Sequence, residues 1–494
     1  MIISPNRSDF STILNILGRL ILGLSAFMLI PLAVAIIRKE TSPFFDFFIS
    51  FLIAASIGFI LLILFPLKKE VGWIHAFFAV SMGWLVSSLL GAIPLFLSGH
   101  FISFVDAWFE AMSGFATTGL ILIQDLDHLS FSHNMWRHLT MFIGGQGIIL
   151  ASLSVLTRAR PVAVGFYYGE ARQEKILPNV IDTARFIWKV CFIYLILGVC
   201  VFSAILYSKG LPVDKSLFHA FWLFFAAFDT GGFAPQAQNI AYYHSLTLEM
   251  ATVTFMILGA MNFNLHFWIW MKSRREIFKN FEIKTFLCTF FSLQALLYFS
   301  LKGMGHFSIF RKGFYQLISA HTGCGFSNLG MGELSQFHPL ALISITLAMM
   351  IGGGVCATTG GIKLMRLGII FRTFFMEIKR WMMPFKSVYK ERFHHLQELI
   401  LSDKRIKEAY IFFTLFLVTY IGGAIIGMIY GYQPVMALFE SVSATANVGL
   451  SVGITAPTMP LALKLVYIFQ MWAGRLEFIS IFVSLGFILT LFKK

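Results

Sequence analysis

The chain has 494 residues, 57% apolar and only 13% charged, with a mean hydropathy of +0.78. A soluble protein of ordinary composition carries roughly 25% charge. An ordinary soluble enzyme, a disordered tail protein and a disulfide scaffold are therefore excluded, and a polytopic membrane protein is left. The net charge of +14 is no sign of nucleic-acid binding, because the bases lie between long apolar runs.

Crossing a bilayer takes roughly 20 apolar residues. In chain order, ten nearly charge-free stretches meet that length: 12–37, 47–67, 71–97, 136–157, 184–208, 250–271, 285–301, 337–370, 409–430 and 464–492. The first, apolar from Leu20 to Ile37, has no A-x-A cleavage site and reads as a span. Four shorter stretches, 106–118, 218–231, 313–324 and 436–448, are bounded by Gly, Asp and Thr and are expected to re-enter from the outer side. With the N-terminus in the cytoplasm, 24 Lys and Arg fall inside, among them Lys68, Lys69, Arg158, Arg160, Arg172, Lys175, Lys493 and Lys494, against nine outside. The positive charge is thus a record of topology. The cysteines Cys191, Cys200, Cys288, Cys324 and Cys356 have no metal spacing and are expected as buried thiols.

Repeats are decisive for fold, and one is visible here. Residues 109–120 and 439–450 share the frame F-E-x-x-S-x-x-A-x-x-G-L without gaps. A third copy runs from Tyr315 to Phe326, with Ser319 and Gly325 in register. The most divergent runs from Trp222 to Phe233, with Ala226 and Gly232 in register. A second motif, M-x-[ILA]-G, follows each copy, ending at Gly144, Gly259, Gly352 and Gly474, which is 25, 27, 27 and 25 residues after the loop glycine. Each unit therefore reads as span, re-entrant loop, span. The expected organisation is an N-terminal helix pair (1–70), then repeats over 71–180, 181–280, 281–400 and 401–494.

Irregular backbone at membrane depth is tolerated only where it lines a cavity or is buried in protein. Four such loops around an axis present carbonyl oxygens that replace the water shell of a monovalent cation. The expected contributors are Thr117, Thr118 and Gly119; Thr230, Gly231 and Gly232; Gly323, Cys324 and Gly325; and Asn447, Val448 and Gly449. Acids at the outer mouth, Asp106, Glu110, Asp125, Asp127, Asp214, Asp229, Glu249, Glu333 and Glu440, are expected to concentrate cations there. Glu110 and Glu440, which share a register, are expected instead to brace the loop backbone.

Gly352, Gly353 and Gly354 open a glycine-rich run through Lys363 inside the 337–370 span. Each Gly costs about 1 kcal/mol relative to Ala in a helix, so this inner helix is expected to break at mid-depth into a flexible loop below the filter. Arg475 lies in an apolar run, and a membrane-embedded charge is a functional candidate by default. Its expected partners are Glu477, carbonyls around Gly353 to Thr359, or pore water.

With the fourfold loop, the four glycines, the broken span and Gly474-Arg475-Leu476-Glu477, the chain resembles the Trk/Ktr/HKT superfamily of potassium transporters, most closely its Trk-type membrane subunits. The resemblance implies an all-α polytopic membrane protein: four M1-P-M2, potassium-channel-like repeats around one pore, plus two extra N-terminal transmembrane helices. It implies a homodimer in a bacterial inner membrane, with K⁺ as the transported ion and no organic cofactor. It also implies a loop gate at Gly352 to Lys363 restrained by Arg475. A cytosolic nucleotide-binding regulatory subunit of the RCK type (TrkA-like) is the implied partner, with the segment Lys363 to Lys407 available to dock it. All four ring positions being glycine favours potassium, since sodium-passing relatives typically carry Ser at the position of Gly119. A proton- or sodium-coupled symporter of the same fold is the alternative, with Asp229, His219 and His321 as relay candidates. A membrane enzyme using His394 and His395, or His128, His133 and His138, has no carboxylate and nucleophile at active-site spacing.

Overall fold

A computed structural model describes residues 7–67, 71–147, 180–301, 303, 305–330, 332–384, 389 and 391–491. Residues 148–157 of the expected fourth span lie outside these, as do Lys68, Lys69, Arg158, Arg160, Arg172, Lys175, Lys493 and Lys494 of the inner bases.

Most of the described apolar stretches are helical. Among the described residues, six single helices are long and apolar enough to cross a membrane: Ser8–Arg38, Thr41–Leu64, Trp73–Leu97, Asp182–Ser208, Phe281–Ser300 and Asp403–Ile429. Their exposed faces carry large apolar side chains such as Ile37, Phe59 and Ile63. In a membrane that arrangement is ordinary solvation, and a helix is the form in which the backbone satisfies itself in lipid. Cys200 and Cys288 are exposed on such faces rather than buried, because a small apolar thiol is as well placed against lipid as inside.

Four shorter helices follow the expected re-entrant stretches: Phe104–Phe115, Val213–Phe228, Phe314–His321 and Pro434–Thr445. Ser103 caps the first through the Asp106 N–H at 3.3 Å, and Pro434 starts the last at a position where a helix needs no N–H.

The inner helices of the last three units depart from a straight span. Phe131–Gln146 ends one residue before Gly147, where the described segment stops. Leu246–Ala260 and Phe263–Met271 meet at 99°, and Leu461–Arg475 and Ile479–Thr490 meet at 108°. Pro339–Met350 and Leu364–Trp381 are separated by the whole loop 351–363. Two of the expected continuous spans, 250–271 and 464–492, are therefore bent pairs. The break falls within a few residues of the M-x-x-G glycine, whose partner is a carbonyl rather than a side chain, as described below.

The two N-terminal helices cross closely at Gly18 and Gly58, where a Cβ on Gly58 would lie 3.1 Å from the Gly18 carbonyl oxygen. Among the described residues the only sheet is a hairpin, Arg392–His395 antiparallel to Gln397–Ile400, between the third and fourth units.

Ion pairs with a buried acid join neighbouring elements. Arg137 meets Glu110 at 2.8 Å with both side chains fully buried, Lys464 meets Asp106 at 2.5 Å, and Arg311 meets Glu249 at 2.5 Å. Removing one member of such a pair leaves an unpaired charge. Arg137→Met should therefore cost about 3–5 kcal/mol and lower the thermal unfolding midpoint in detergent, whereas Arg38→Met, at the half-exposed pair with Asp214, should leave it nearly unchanged. Equal midpoints for Arg137→Met and the parent would contradict this.

Candidate functional site

The turns after the four short helices share one backbone geometry. Each helix ends four residues before its loop glycine. Two residues before each of those glycines the backbone is left-handed: Thr117 (φ 51°), Thr230 (50°), Gly323 (70°) and Asn447 (56°). The glycines themselves are left-handed too: Gly119 (91°), Gly232 (74°), Gly325 (84°) and Gly449 (94°). A left-handed non-glycine residue costs roughly 1–2 kcal/mol, so the turn has to be held by its hydrogen bonds. The residue between donates its N–H back into its own helix in every copy: Thr118 to Ser113 at 2.8 Å, Gly231 to Ala226 at 2.8 Å, Cys324 to Ser319 at 2.9 Å and Val448 to Ser443 at 2.9 Å. Its carbonyl is left free of that turn.

These turns meet in a closed circle. A Cβ placed on Gly119 would overlap the carbonyl oxygen of Gly231; one on Gly232, that of Cys324; one on Gly325, that of Val448; and one on Gly449, that of Thr118. All twelve residues singled out in the sequence thus belong to one ring. The four glycines line a single vestibule of about 250 Å³ together with Asn239, Ser327 and Ser451. Four helix C-termini, each carrying about half a negative charge, stop four residues short of the ring.

No Asp or Glu side chain lines that vestibule among the described residues, which corrects the expected acidic mouth. The acids are held in ion pairs and hydrogen bonds around it, Asp127, Glu333 and Glu440 by residues of its wall. Asp106, Glu110 and Glu249 hold Lys464, Arg137 and Arg311. Asp214 pairs with Arg38, Glu333 with Lys312 and Asp125 with His128. Asp127 accepts the Ala237 N–H at 2.8 Å, bracing the second loop from the first. Asp229 accepts from Gln146 at 2.6 Å and faces Gly145 of the first inner helix.

Glu110 and Glu440 do brace backbone. Glu440 accepts the N–H groups of Val452 (2.9 Å) and Ile454 (3.2 Å), and Glu110 that of Leu122 (2.7 Å). At the same register Gln316 donates to Ser327 and Asn328, both at 3.1 Å, and Leu223 has only packing to offer.

Below the ring, the M-x-x-G glycines sit where no side chain fits. A Cβ on Gly144, Gly259 or Gly474 would overlap the carbonyl of Phe115, Phe228 or Thr445, the last helical residue of its own unit. In the third unit Gly352 instead faces the Gly360 carbonyl, because the loop 351–363 intervenes. That loop is hydrogen-bonded at both ends rather than slack. Gly352 donates to Ile362 (2.8 Å), Ile362 to Met350 (3.0 Å), Gly354 to Ala260 (3.0 Å) and Leu364 to Gly353 (3.1 Å). Glu282 accepts the Val355 N–H at 2.8 Å.

Three consecutive loop residues touch three of the four turns. Thr358 meets Thr230 at 3.1 Å, Thr359 lies 3.6 Å from a Cβ built on Gly323, and one built on Gly360 would lie 2.5 Å from the Ala446 carbonyl oxygen and from Asn447 Oδ1. Arg475 closes the circle. It donates to Thr117 Oγ1 (3.2 Å), to the Thr358 carbonyl, and to the carbonyl of Gly144 (2.6 Å). Of the partners expected for Arg475, the loop carbonyls are therefore the ones it takes. Glu477 instead pairs with Arg366 at 2.5 Å, and Lys363 Nζ donates to the Thr359 carbonyl at 2.6 Å.

Glu282, Asn262 and Arg366 were not singled out in the sequence as site residues. The available signal was a polar residue beside or within an apolar run: Glu282 stands just before 285–301, and Asn262 lies in the middle of 250–271. The relay and enzyme candidates are dispersed. His219 bonds Tyr243 at 2.7 Å, His321 bonds Thr289 at 2.8 Å, and His394 lies against Glu276 at 3.1 Å on the hairpin.

A family model described as TrkH, cation transport protein, matches residues 44–489. An uncharacterized cation transporter of Methanocaldococcus jannaschii is 33% identical over 477 residues, covering 97% of this chain and 95% of that protein. The Trk system potassium uptake protein TrkH of Escherichia coli K12 is 27% identical over 491 residues, with 96% and 98% covered. The crystal structure of the potassium transporter TrkH from Vibrio parahaemolyticus superposes with a TM-score of 0.81 at 23% identity, covering 96% of this chain and 98% of that one, which shows a shared fold. By the extent of the family match and the identity to its relatives, the chain belongs to the TrkH family of cation transport proteins.

Proposed function

We propose that the protein conducts potassium into the cell through the four-turn ring, and that the loop 351–363 with Arg475 is its gate. The observation that carries this reading is the closed circle of free carbonyls at Thr118, Gly231, Cys324 and Val448, with no carboxylate in the vestibule above. Such a ring suits a weakly hydrated monovalent cation, which gives up water for neutral oxygen dipoles. Mg²⁺ and Ca²⁺ are poorly served, since they call for carboxylates or retained water. Thr117, Thr230, Gly323 and Asn447, with the four glycines, complete the oxygen ladder. Potassium itself is supported by the named activity of the Escherichia coli relative.

An inside-negative potential supplies about 2.3 kcal/mol per charge per 100 mV, so uptake needs no nucleotide hydrolysis in this chain. In the arrangement described, Thr358 to Gly360 lie directly against the turns, and the Arg475 guanidinium adds a positive barrier to cations. Transport requires this contact to open. Lys363, held on the Thr359 carbonyl, and Gly352 to Gly354, where the loop leaves its helix, are the hinge of that motion.

The remaining parts of the proposal are topological. The four units correspond to 71–180, 181–280, 281–400 and 401–494, with the N-terminus in the cytoplasm of a bacterial inner membrane, as the distribution of bases supports. The chain works as a homodimer. A nucleotide-binding RCK-type subunit docks on the cytoplasmic segment 363–407, where Phe371, Phe374, Phe375 and Trp381 are exposed beside Arg372, Lys379 and Arg380.

Flux into proteoliposomes tests the reading: potassium and rubidium should enter far faster than sodium or lithium, with a reversal potential that follows potassium alone at any pH. Flux that instead requires a proton or sodium gradient would favour the coupled symporter. Gly119→Ser should lower potassium-over-sodium selectivity by at least about tenfold, near 1.4 kcal/mol, because its Cβ has to displace the Gly231 carbonyl. Arg475→Ala should raise flux by at least about tenfold, since one charge-assisted hydrogen bond is worth about 1.5–3 kcal/mol. Arg475→Lys separates the two parts of the barrier: a lysine keeps the charge but not the fork that bridges Thr358 and Gly144. Raised flux in Arg475→Lys assigns the gate to bridging, parental flux assigns it to charge, and parental flux in both variants removes Arg475 from the gate.

A further inference from the structure

A large cavity lies away from the ring. It is a groove of about 1160 Å³ between the N-terminal helix Arg7–Arg38, the first inner helix Phe131–Gln146, the helix Val180–Ser208 and the second short helix Val213–Phe228. Its walls are almost wholly apolar, among them Leu24, Phe27, Ile30, Leu139, Phe192 and Phe221. One charged side chain lines it, Arg19.

Helix arithmetic sets the depth of Arg19. It precedes Arg38 on one unbroken helix by about 28 Å, at 1.5 Å per residue. The hydrocarbon core of a bilayer is about 30 Å thick. Arg38 pairs with Asp214 at the outer end, so Arg19 sits at the opposite headgroup boundary and the groove spans the core between them.

The donors of Arg19 are only partly used. Nε donates to Asn15 Oδ1 at 3.0 Å, and Asn15 is itself oriented by donating Nδ2 to the Phe65 carbonyl at 2.7 Å. Among the described residues no carboxylate pairs with Arg19, and its side chain is part of the groove's lining. The neighbouring wall adds charge of the same sign. Arg185 shares a helix face with Trp188, Phe192 and Leu195, which line the groove, and Lys189 is exposed next to Trp188. Asp182, 3.6 Å from Arg185, is the acid paired there among the described residues.

We infer that this groove is a specific site for one anionic phospholipid, its phosphate on the Arg19 fork and one acyl chain lying along the groove. An acyl chain fits walls with no other polar demand, and a phosphate diester matches a guanidinium bidentately. The excess of positive charge at that end favours a headgroup with net negative charge over a zwitterionic one. The site stands whichever leaflet it faces; that it is the cytoplasmic one follows from the orientation proposed above. It lies against the second short helix and the first inner helix, so an occupant touches two elements of the ring's scaffold without entering the ion path.

Native mass spectrometry of the purified full-length chain, released from micelles containing equal phosphatidylglycerol and phosphatidylcholine, tests the inference. The parent should retain phosphatidylglycerol at least about fivefold over phosphatidylcholine, the effect of one base near a lipid surface. Arg19→Gln should abolish that preference while leaving phosphatidylcholine retention unchanged, and Ala26→Trp, which fills the groove and keeps the charge, should lower retention of both. Equal retention of the two lipids by the parent, or an undiminished preference in Arg19→Gln, would overturn the site. If Arg19→Gln does not fold, undiminished retention in Ala26→Trp would overturn it alone. Loss of the preference on adding millimolar inorganic phosphate would assign the pocket to a free anion and refute the lipid.

Discussion

Four peptide carbonyls can approach one axis only if nothing projects from the backbone beside them, and that steric condition governs the rest of the molecule. At Gly119, Gly232, Gly325 and Gly449 a single added carbon would collide with the neighbouring turn. The condition is propagated downward by Gly144, Gly259 and Gly474, each pressed against the last carbonyl of its own short helix. Three of the four turns also force a side-chain-bearing residue into left-handed backbone, at Thr117, Thr230 and Asn447. That strain is offset by the N–H returned to each helix and by braces from Glu110, Glu440 and Gln316 above.

The third unit breaks the fourfold pattern, and it breaks it below the ring. Its inner helix stops at Met350, and the residues that would have continued it fold back as a hydrogen-bonded loop whose tip touches Thr230, Gly323 and Asn447. Room for that loop comes from the bend of the second inner helix, since Gly259, Ala260 and Asn262 are its direct neighbours. Arg475, at the bend of the fourth, joins the loop to the first unit. One irregular segment thus touches three units directly and is tied to the first through Arg475.

Charge is used sparingly and mostly for assembly. The carboxylates near the ring neutralise bases on adjoining helices, so the vestibule is left to neutral dipoles. A carboxylate at the ring would bind a monovalent ion too tightly for rapid exit and would invite divalent competitors; peptide oxygens avoid both. Arg19 differs: it lines an apolar groove and donates to Asn15 rather than to a carboxylate.

Much of this was legible beforehand because it is written in local spacing. Helix-length apolar runs, the interval between each loop glycine and the next M-x-x-G, and the glycine density of 352–361 are properties of contiguous residues. They located the spans, the four turns, all twelve ring positions and the broken third inner helix. What spacing did not reveal depends on partners far apart in the chain. Lys464 finds Asp106, and Arg475 finds Thr117, each across 358 positions. A carboxylate read alone looks like part of an acidic mouth; only its neighbour in space shows it already neutralised. The bends near Met261 and Leu476 were equally hidden, because the stretches containing them are apolar enough to run straight. The sequence by itself therefore determined the membrane class, the repeated turn and the absence of side chains at its axis. The tertiary structure decided which charges cancel, which helices bend and what Arg475 holds, since each is a contest between partners that meet only after the chain has folded.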